Sequence, residues 1–176
     1  ITGFWSVSQL LFLWGTALLS LRNLIPDLLS VVACNVFLIG GQGALQEGLE
    51  RYIGRQGACR IWTLSFIIVE FVVTVLLTYI WPSLGARVIC YSLFSAGMCV
   101  LGILTLRKDK EVEEAPKRFL RAVLWTSMGL IIMRIVFAFN HLFNYEIEVQ
   151  TSAFSSLIIA GLLCLYVALS LGMFWM

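Results

Sequence analysis

Long apolar runs alternate with short polar connections along the whole chain. Six of these runs have about the 20 residues that a helix needs to cross a bilayer. They are residues 3–21, 24–46, 61–80, 87–106, 121–140 and 152–175. No run alternates apolar and polar residues over the length of a strand. The pattern predicts an all-α fold, a polytopic membrane helix bundle with six spans.

Composition agrees with a membrane location. Hydrophobic residues make up 60% of the 176 residues and charged residues 12%, whereas soluble domains are about half apolar and a quarter charged. The mean hydropathy is +0.94. The chain begins at Ile1 with no basic segment before it and ends in apolar residues. We therefore expect a single transmembrane domain, residues 1–176, that is a piece of a longer protein.

Basic residues gather on one side of the predicted bundle. Nine of the twelve Lys and Arg lie in the connections that follow spans two and four, and Arg22 and Arg87 lie on the opposite side. The remaining one, Arg134, lies inside span five. Because Lys and Arg are enriched in cytoplasmic loops, this distribution predicts that both termini and both basic connections face the cytoplasm.

The glycines of span two do not form a phosphate-binding loop. A dinucleotide fingerprint would need a glycine where Gln46 stands, and the other phosphate-loop spacing fails after Gly43. Instead, Gly40, Ala44 and Gly48 recur at intervals of four, the small-x-x-x-small pattern that lets two membrane helices approach closely. We interpret these residues as helix-packing positions.

The end of span two has the pattern of an amphipathic helix. Leu45, Leu49 and Tyr52 fall on one face at helical spacing. Glu47 and Glu50 fall on another face, so we expect a helix end that lies at the membrane interface.

Small residues also recur every four positions along span six. The residues of this ladder are Ser152, Ser156, Ala160, Cys164, Ala168 and Gly172. Such a ladder allows either close packing inside the bundle or a homodimer face along the last span. The sequence leaves both alternatives open.

Ionisable side chains inside spans are costly, so they are candidates for a ligand or switch site. Glu70 and Arg134 lie roughly 13 and 20 Å from the cytoplasmic ends of their spans, and Asn35 falls near the midplane. We predict a buried layer in which Glu70 neutralises Arg134. Thr74 lies one turn after Glu70, and Arg87 is expected to extend toward the outer interface. The layer is either an architectural ion pair or a ligand site.

The sequence contains no pattern typical of a metal centre or a catalytic site. The five cysteines include no C-x-x-C pair, and His141, the single histidine, has no Cys or carboxylate at ligand spacing. No nucleophile, base and orienting group occur together, and no basic stripe suggests nucleic acid. We predict no metal, cofactor or catalytic residue in this piece.

The order of several short motifs is similar to that of a known family. The motifs are GFW at 3–5, LRNLIPDLLS at 21–30, Asn35, GLERYIGR at 48–55, RVICYS at 87–92 and Arg134. Together they resemble the multi-span sensory region that precedes GGDEF domains in many bacterial diguanylate cyclases. The likeness is strongest over about residues 3–60.

The resemblance implies a module that senses a signal, dimerises, and regulates a cytoplasmic diguanylate cyclase domain. That output domain would use GTP and Mg²⁺ to make cyclic di-GMP, and the protein would lie in the bacterial inner membrane with its C-terminus cytoplasmic. The candidates for the signal are a lipid-like ligand, a quinone, another small apolar ligand and the physical state of the membrane, and the sequence leaves them open. The alternatives are a small transporter or permease subunit, or an anchor that only dimerises its output domain.

Overall fold

The computed structural model describes residues 2–22, 24–54, 60–107, 114–143, 160–162, 164–165 and 167. These residues are predominantly helical, with an isolated bridge between Arg22 and Ile25 and no strand among them. The long helices are α1 (Thr2–Ser20), α2 (Cys34–Tyr52), α3 (Arg60–Tyr79), α4 (Leu84–Arg107) and α5 (Glu114–Phe143). The predicted all-α fold is confirmed for the described residues.

Four of the described segments are long and apolar enough to cross a membrane. They are Leu28–Tyr52, Arg60–Tyr79, Leu84–Arg107 and Arg118–Phe139. Helix α1 is not among them, and the predicted span at 152–175 falls mostly outside the described residues. The structure therefore supports a polytopic helical membrane protein, while six spans and cytoplasmic termini stay predictions.

A π-helical turn, Leu28–Ala33, joins the first connection to α2. Pro26 has no N–H, but its carbonyl oxygen accepts hydrogen bonds from the backbone N–H groups of Leu29 and Ser30. The N–H of Cys34 then donates to the carbonyl of Leu29, five residues back. Short π-helical segments within α-helices are frequently found at functional sites.

Helices α2, α3 and α4 pack against one another at the centre of the described bundle. Helix α1 packs on α2, and α5 packs on α4. Helices α3 and α5 do not touch within the described part of the chain. Helix α4 packs against both of them, and this arrangement limits which of their side chains can meet.

Glycines let α1 and α2 pack at close range. A Cβ atom at Gly41 would lie 3.2 Å from the carbonyl oxygen of Ser8, and one at Gly40 would lie 3.7 Å from Leu11. At Gly48 a Cβ atom would overlap the buried indole of Trp5. Two members of the small-x-x-x-small pattern thus face α1 of the same chain.

Candidate functional site

Helix α3 buries only two of its described side chains, and both are polar. Glu70 is 1% exposed and Thr74 is 2% exposed, whereas the apolar residues Ile68 and Phe71 face outward. The hydroxyl of Thr74 donates a hydrogen bond of 3.0 Å to Oε1 of Glu70. Oε2 of Glu70 has no hydrogen-bond partner among the described residues. Glu70 and Thr74 are therefore the two side chains that α3 buries in the bundle.

Arg134 of α5 lies over the ring of Tyr91 of α4. The distance from the guanidinium carbon Cζ to the ring centroid is 5.2 Å, within the range of a cation–π interaction. Nε of Arg134 has no hydrogen-bond partner in the described part of the chain. Tyr91 is buried and also interacts electrostatically with Glu70 and with Cys34 of α2. Tyr91 thus lies at the centre of the layer.

The predicted ion pair between Glu70 and Arg134 is not formed among the described residues. Both side chains interact with Tyr91, so they share a level in the bundle. They reach it from two helices, α3 and α5, whose backbones do not approach each other closely in the described part of the chain. Depth along a helix, which is all that the spacing provides, does not say on which side of a neighbouring helix a side chain lies.

We call Glu70, Tyr91 and Arg134 the Tyr91 layer, and neither Asn35 nor Arg87 is joined to it by a hydrogen bond or an ion pair among the described residues. Asn35 is half-buried and makes no side-chain hydrogen bond with the described residues. Nε of Arg87 donates to the carbonyl of Ser83 at 3.4 Å, at the start of α4. Arg87 also interacts electrostatically with Arg22 and Asp27. Arg87 therefore belongs to a charged rim, about one helical turn from Tyr91.

A row of buried polar side chains joins α2 to α4, and these contacts were not predicted from the sequence. Nε2 of Gln42 donates to Oγ of Ser95 at 2.7 Å, and Nε2 of Gln46 donates to Oγ1 of Thr105 at 3.0 Å. Glu50, one turn further along α2, is 0% exposed. We call Gln42, Gln46, Glu50, Ser95 and Thr105 the polar seam.

The polar seam corrects the interpretation of the end of α2 as an amphipathic interfacial segment. Glu50 was expected on a polar face with Glu47, yet it is buried, while Glu47 pairs with the half-exposed Arg51 at 3.1 Å. The sequence feature that indicates this burial is the recurrence of Gln42, Gln46 and Glu50 every four residues within an apolar run. Polar side chains at that spacing share one face and can bond to a neighbouring membrane helix.

The seam also sets the relative direction of two helices. Gln42 bonds to Ser95 and Gln46 bonds to Thr105, so residue numbers rise together along α2 and α4. The two helices are therefore parallel, as alternating membrane spans require. Gly102 makes room for the contact, since a Cβ atom there would lie 3.2 Å from Oε1 of Gln46.

The described part of the span-six ladder faces away from the bundle. Ala160 and Cys164 are exposed, whereas Leu162 is buried and Gly161 lies against Leu130 of α5. The other members of the ladder, Ser152, Ser156, Ala168 and Gly172, lie outside the described residues. Ala160 and Cys164 are therefore accessible for contact with another molecule.

Among the described residues, no three His, Cys, Asp or Glu side chains gather where they could hold a metal ion. The described cysteines are free thiols: Cys34, Cys90, Cys99 and Cys164. Cys59 lies outside the described residues, as does the side chain of His141.

The chain matches no protein-family model, no curated protein and no solved structure. Its function is therefore inferred from the geometry of its own residues. The main features for that inference are the Tyr91 layer, in which Glu70 and Arg134 approach Tyr91 from different helices, and the polar seam that links α4 to α2.

Proposed function

We propose that this chain is a transmembrane sensory module that regulates a cytoplasmic output domain. The observation that carries the proposal is that the buried Glu70 of α3 and the half-buried Arg134 of α5 both approach Tyr91 without forming an ion pair with each other. Each retains a polar atom without a hydrogen-bond partner among the described residues. Ionisable groups at this depth are costly and are usually found at ligand, ion or switch sites.

Helix α4 is the element through which a signal would pass. It contacts α3 and α5 beside the Tyr91 layer and is hydrogen-bonded to α2 through the polar seam. A ligand that binds one packing of these helices more tightly than another shifts the equilibrium between them. The C-terminal ends of α2 and α4 lead into the two basic connections. A shift of α4 against α2 would therefore move these connections relative to each other on the predicted cytoplasmic side.

The output that we propose is a diguanylate cyclase of the GGDEF type, with GTP and Mg²⁺ as its substrate and metal. This part of the proposal is supported by the motif resemblance at residues 3–60. The predicted location, a bacterial inner membrane with a cytoplasmic C-terminus, is supported by the distribution of Lys and Arg.

The test is the output of the full-length protein after conservative neutralisation of the two charges. We expect Glu70→Gln and Arg134→Gln each to change cellular cyclic di-GMP or its response to conditions. Arg118→Gln, the same change at an exposed position on α5, is the matched control and is expected to leave the output unchanged. If the Glu70 and Arg134 variants both behave like this control under every condition, the sensory role is lost. A loss of solute uptake with unchanged output would instead favour the transporter.

A homodimer through the outward face of span six is the second component of the proposal. Cys164 is exposed on this face, so it serves as a native probe. In a variant with Cys59→Ser and Cys90→Ser, we expect mild oxidation of membranes to give a covalent dimer through Cys164.

The control for cross-linking uses the same helix. Leu162 is buried and lies on the opposite side of the helix from Cys164. Leu162→Cys, combined with Cys164→Ser, is expected to cross-link several-fold more slowly. Equal rates at the two positions would indicate random collision, and the absence of any Cys164 dimer would exclude this face as the interface.

A further inference from the structure

Glu70 is a buried carboxyl without a cationic neighbour among the described residues. It is 1% exposed, and no Lys or Arg nitrogen of the described part lies within 4 Å of its oxygens. Thr74 donates to one oxygen, and the other oxygen, Oε2, is left without a hydrogen-bond partner. An isolated carboxylate is very costly in an apolar interior, so such a group requires a proton or a cation.

The side chains around Glu70 do not supply that charge. Helix α3 packs on α2, α4 and the π-helical turn. The titratable groups that interact with Glu70 from α4 are Cys90 and Tyr91, and Cys34 of α2 interacts with Tyr91. The π-helical turn has no titratable side chain. Arg134 lies over Tyr91 and also interacts electrostatically with Cys34, but it forms no ion pair with Glu70.

The polar seam leads toward Glu70 from the opposite end of the bundle. It starts at the buried Glu50 near the end of α2 and reaches the hydrogen bond between Gln42 and Ser95. Ser95 is four residues from Tyr91, which is about 6 Å along a helix. Oε1 of Gln42, a residue only 4% exposed, has no hydrogen-bond partner among the described residues. Oε2 of Glu70 and Oε1 of Gln42 are therefore both acceptors without a hydrogen-bond partner among the described residues.

We propose that Glu70 is the binding site for a small monovalent cation, either a proton or an alkali metal ion, which reaches it along the polar seam. Carboxylate, amide and hydroxyl oxygens suit both sources, because a carboxylate oxygen accepts a proton and hard cations prefer oxygen ligands. The inference rests on the proposed function, since it identifies the chemical class of the signal at the same layer.

The alkali-ion arm is measured by the thermal stability of the purified chain in detergent micelles. NaCl or KCl is compared with N-methylglucamine chloride at equal ionic strength. A bound ion is expected to raise Tm by about 5 °C at saturation. Glu70→Gln is expected to abolish this shift. Glu47→Gln, which removes a carboxylate from an ion pair on α2, is the control and is expected to keep it.

The proton arm is measured by infrared spectroscopy at neutral pH. A protonated Glu70 gives the carbonyl band of a carboxylic acid, sensitive to deuterium exchange and lost in Glu70→Gln. Gln46→Leu, which interrupts the seam, is expected to slow that exchange several-fold. Exchange at the wild-type rate would overturn the route along the seam.

Either a cation-dependent Tm shift or a Glu70 band supports the site, and the absence of both overturns it. If Glu70→Gln does not fold, Thr74→Val provides the second variant, because it keeps the carboxyl but removes its hydroxyl donor. It is expected to weaken the cation effect or shift the band, and no change in either would also overturn the site. If the purified chain binds a cation but Glu70→Gln leaves the output of the full-length protein unchanged, the cation site is supported and the sensory function is rejected.

Discussion

Replacement of Gly48 by leucine is expected to destabilise the bundle by about 3 kcal/mol, the upper end of the usual cost of overpacking a core. Gly48 lies against the buried indole of Trp5, and even a Cβ atom at this position would overlap the ring. A leucine fits only if α1 moves away from α2. The effect is measured as a lower Tm of the purified chain in detergent micelles.

The matched control for this experiment is Gly129→Leu on α5. A Cβ atom at Gly129 meets no heavy atom within 4 Å, and leucine is the better helix former by roughly 1 kcal/mol. This variant is therefore expected to be neutral or slightly stabilised. Trp5→Ala in the Gly48→Leu background is expected to cost less than the sum of the two single changes, because the side chains share one space. Equal Tm values for the two leucine variants would contradict the α1–α2 contact.

Tyr91→Leu is expected to lower the free energy of unfolding by about 2 kcal/mol, while Tyr91→Phe is expected to lower it by less than about 1 kcal/mol. Phenylalanine keeps the aromatic face over which the guanidinium of Arg134 lies, and leucine removes it. The desolvated cation then loses its main interaction in the described part of the protein. Chemical or thermal unfolding of the three proteins in the same detergent measures the difference.

Double-mutant cycles separate this contact from the ion pair that the spacing predicted. The cycle of Tyr91→Leu with Arg134→Met is expected to give a coupling energy of about 1–2 kcal/mol. The cycle of Glu70→Gln with Arg134→Met is expected to give a coupling energy near zero, because the two side chains form no ion pair and their helices have no close backbone contact. A larger coupling energy for Glu70 and Arg134 than for Tyr91 and Arg134 would reverse this assignment.

Helix positions follow closely from the apolar runs. The runs at 61–80 and 87–106 correspond to α3, Arg60–Tyr79, and α4, Leu84–Arg107. Pro82 separates these two helices, since proline lacks the N–H that a continuing helix needs. Such boundaries depend on residues a few positions apart, so they can be read from the sequence. The π-helical turn before α2 was not predicted, because one extra residue in a turn leaves no comparable pattern.

The candidate site was predicted only in part. Glu70, Thr74 and Arg134 were recognised because charged and polar groups inside apolar runs are conspicuous. Tyr91 was not assigned a role, because an aromatic residue in a membrane helix has no distinctive spacing. The polar seam was not predicted for a different reason, since the spacing of Gln42 and Gln46 along α2 does not specify that α4 is the helix that faces them.

The sequence by itself determined that the chain is helical, apolar enough for a bilayer, and marked by ionisable side chains at two depths. These properties depend on composition and on periodicity within single helices. The tertiary structure alone decided that Glu70 and Arg134 do not form an ion pair, that both approach Tyr91, and that Glu50 is buried. The physical reason is that partners across a bundle depend on which helix faces meet. That choice is set by the close packing of all helices together, where glycines such as Gly48 and hydrogen bonds such as that of Gln42 with Ser95 fix the neighbours.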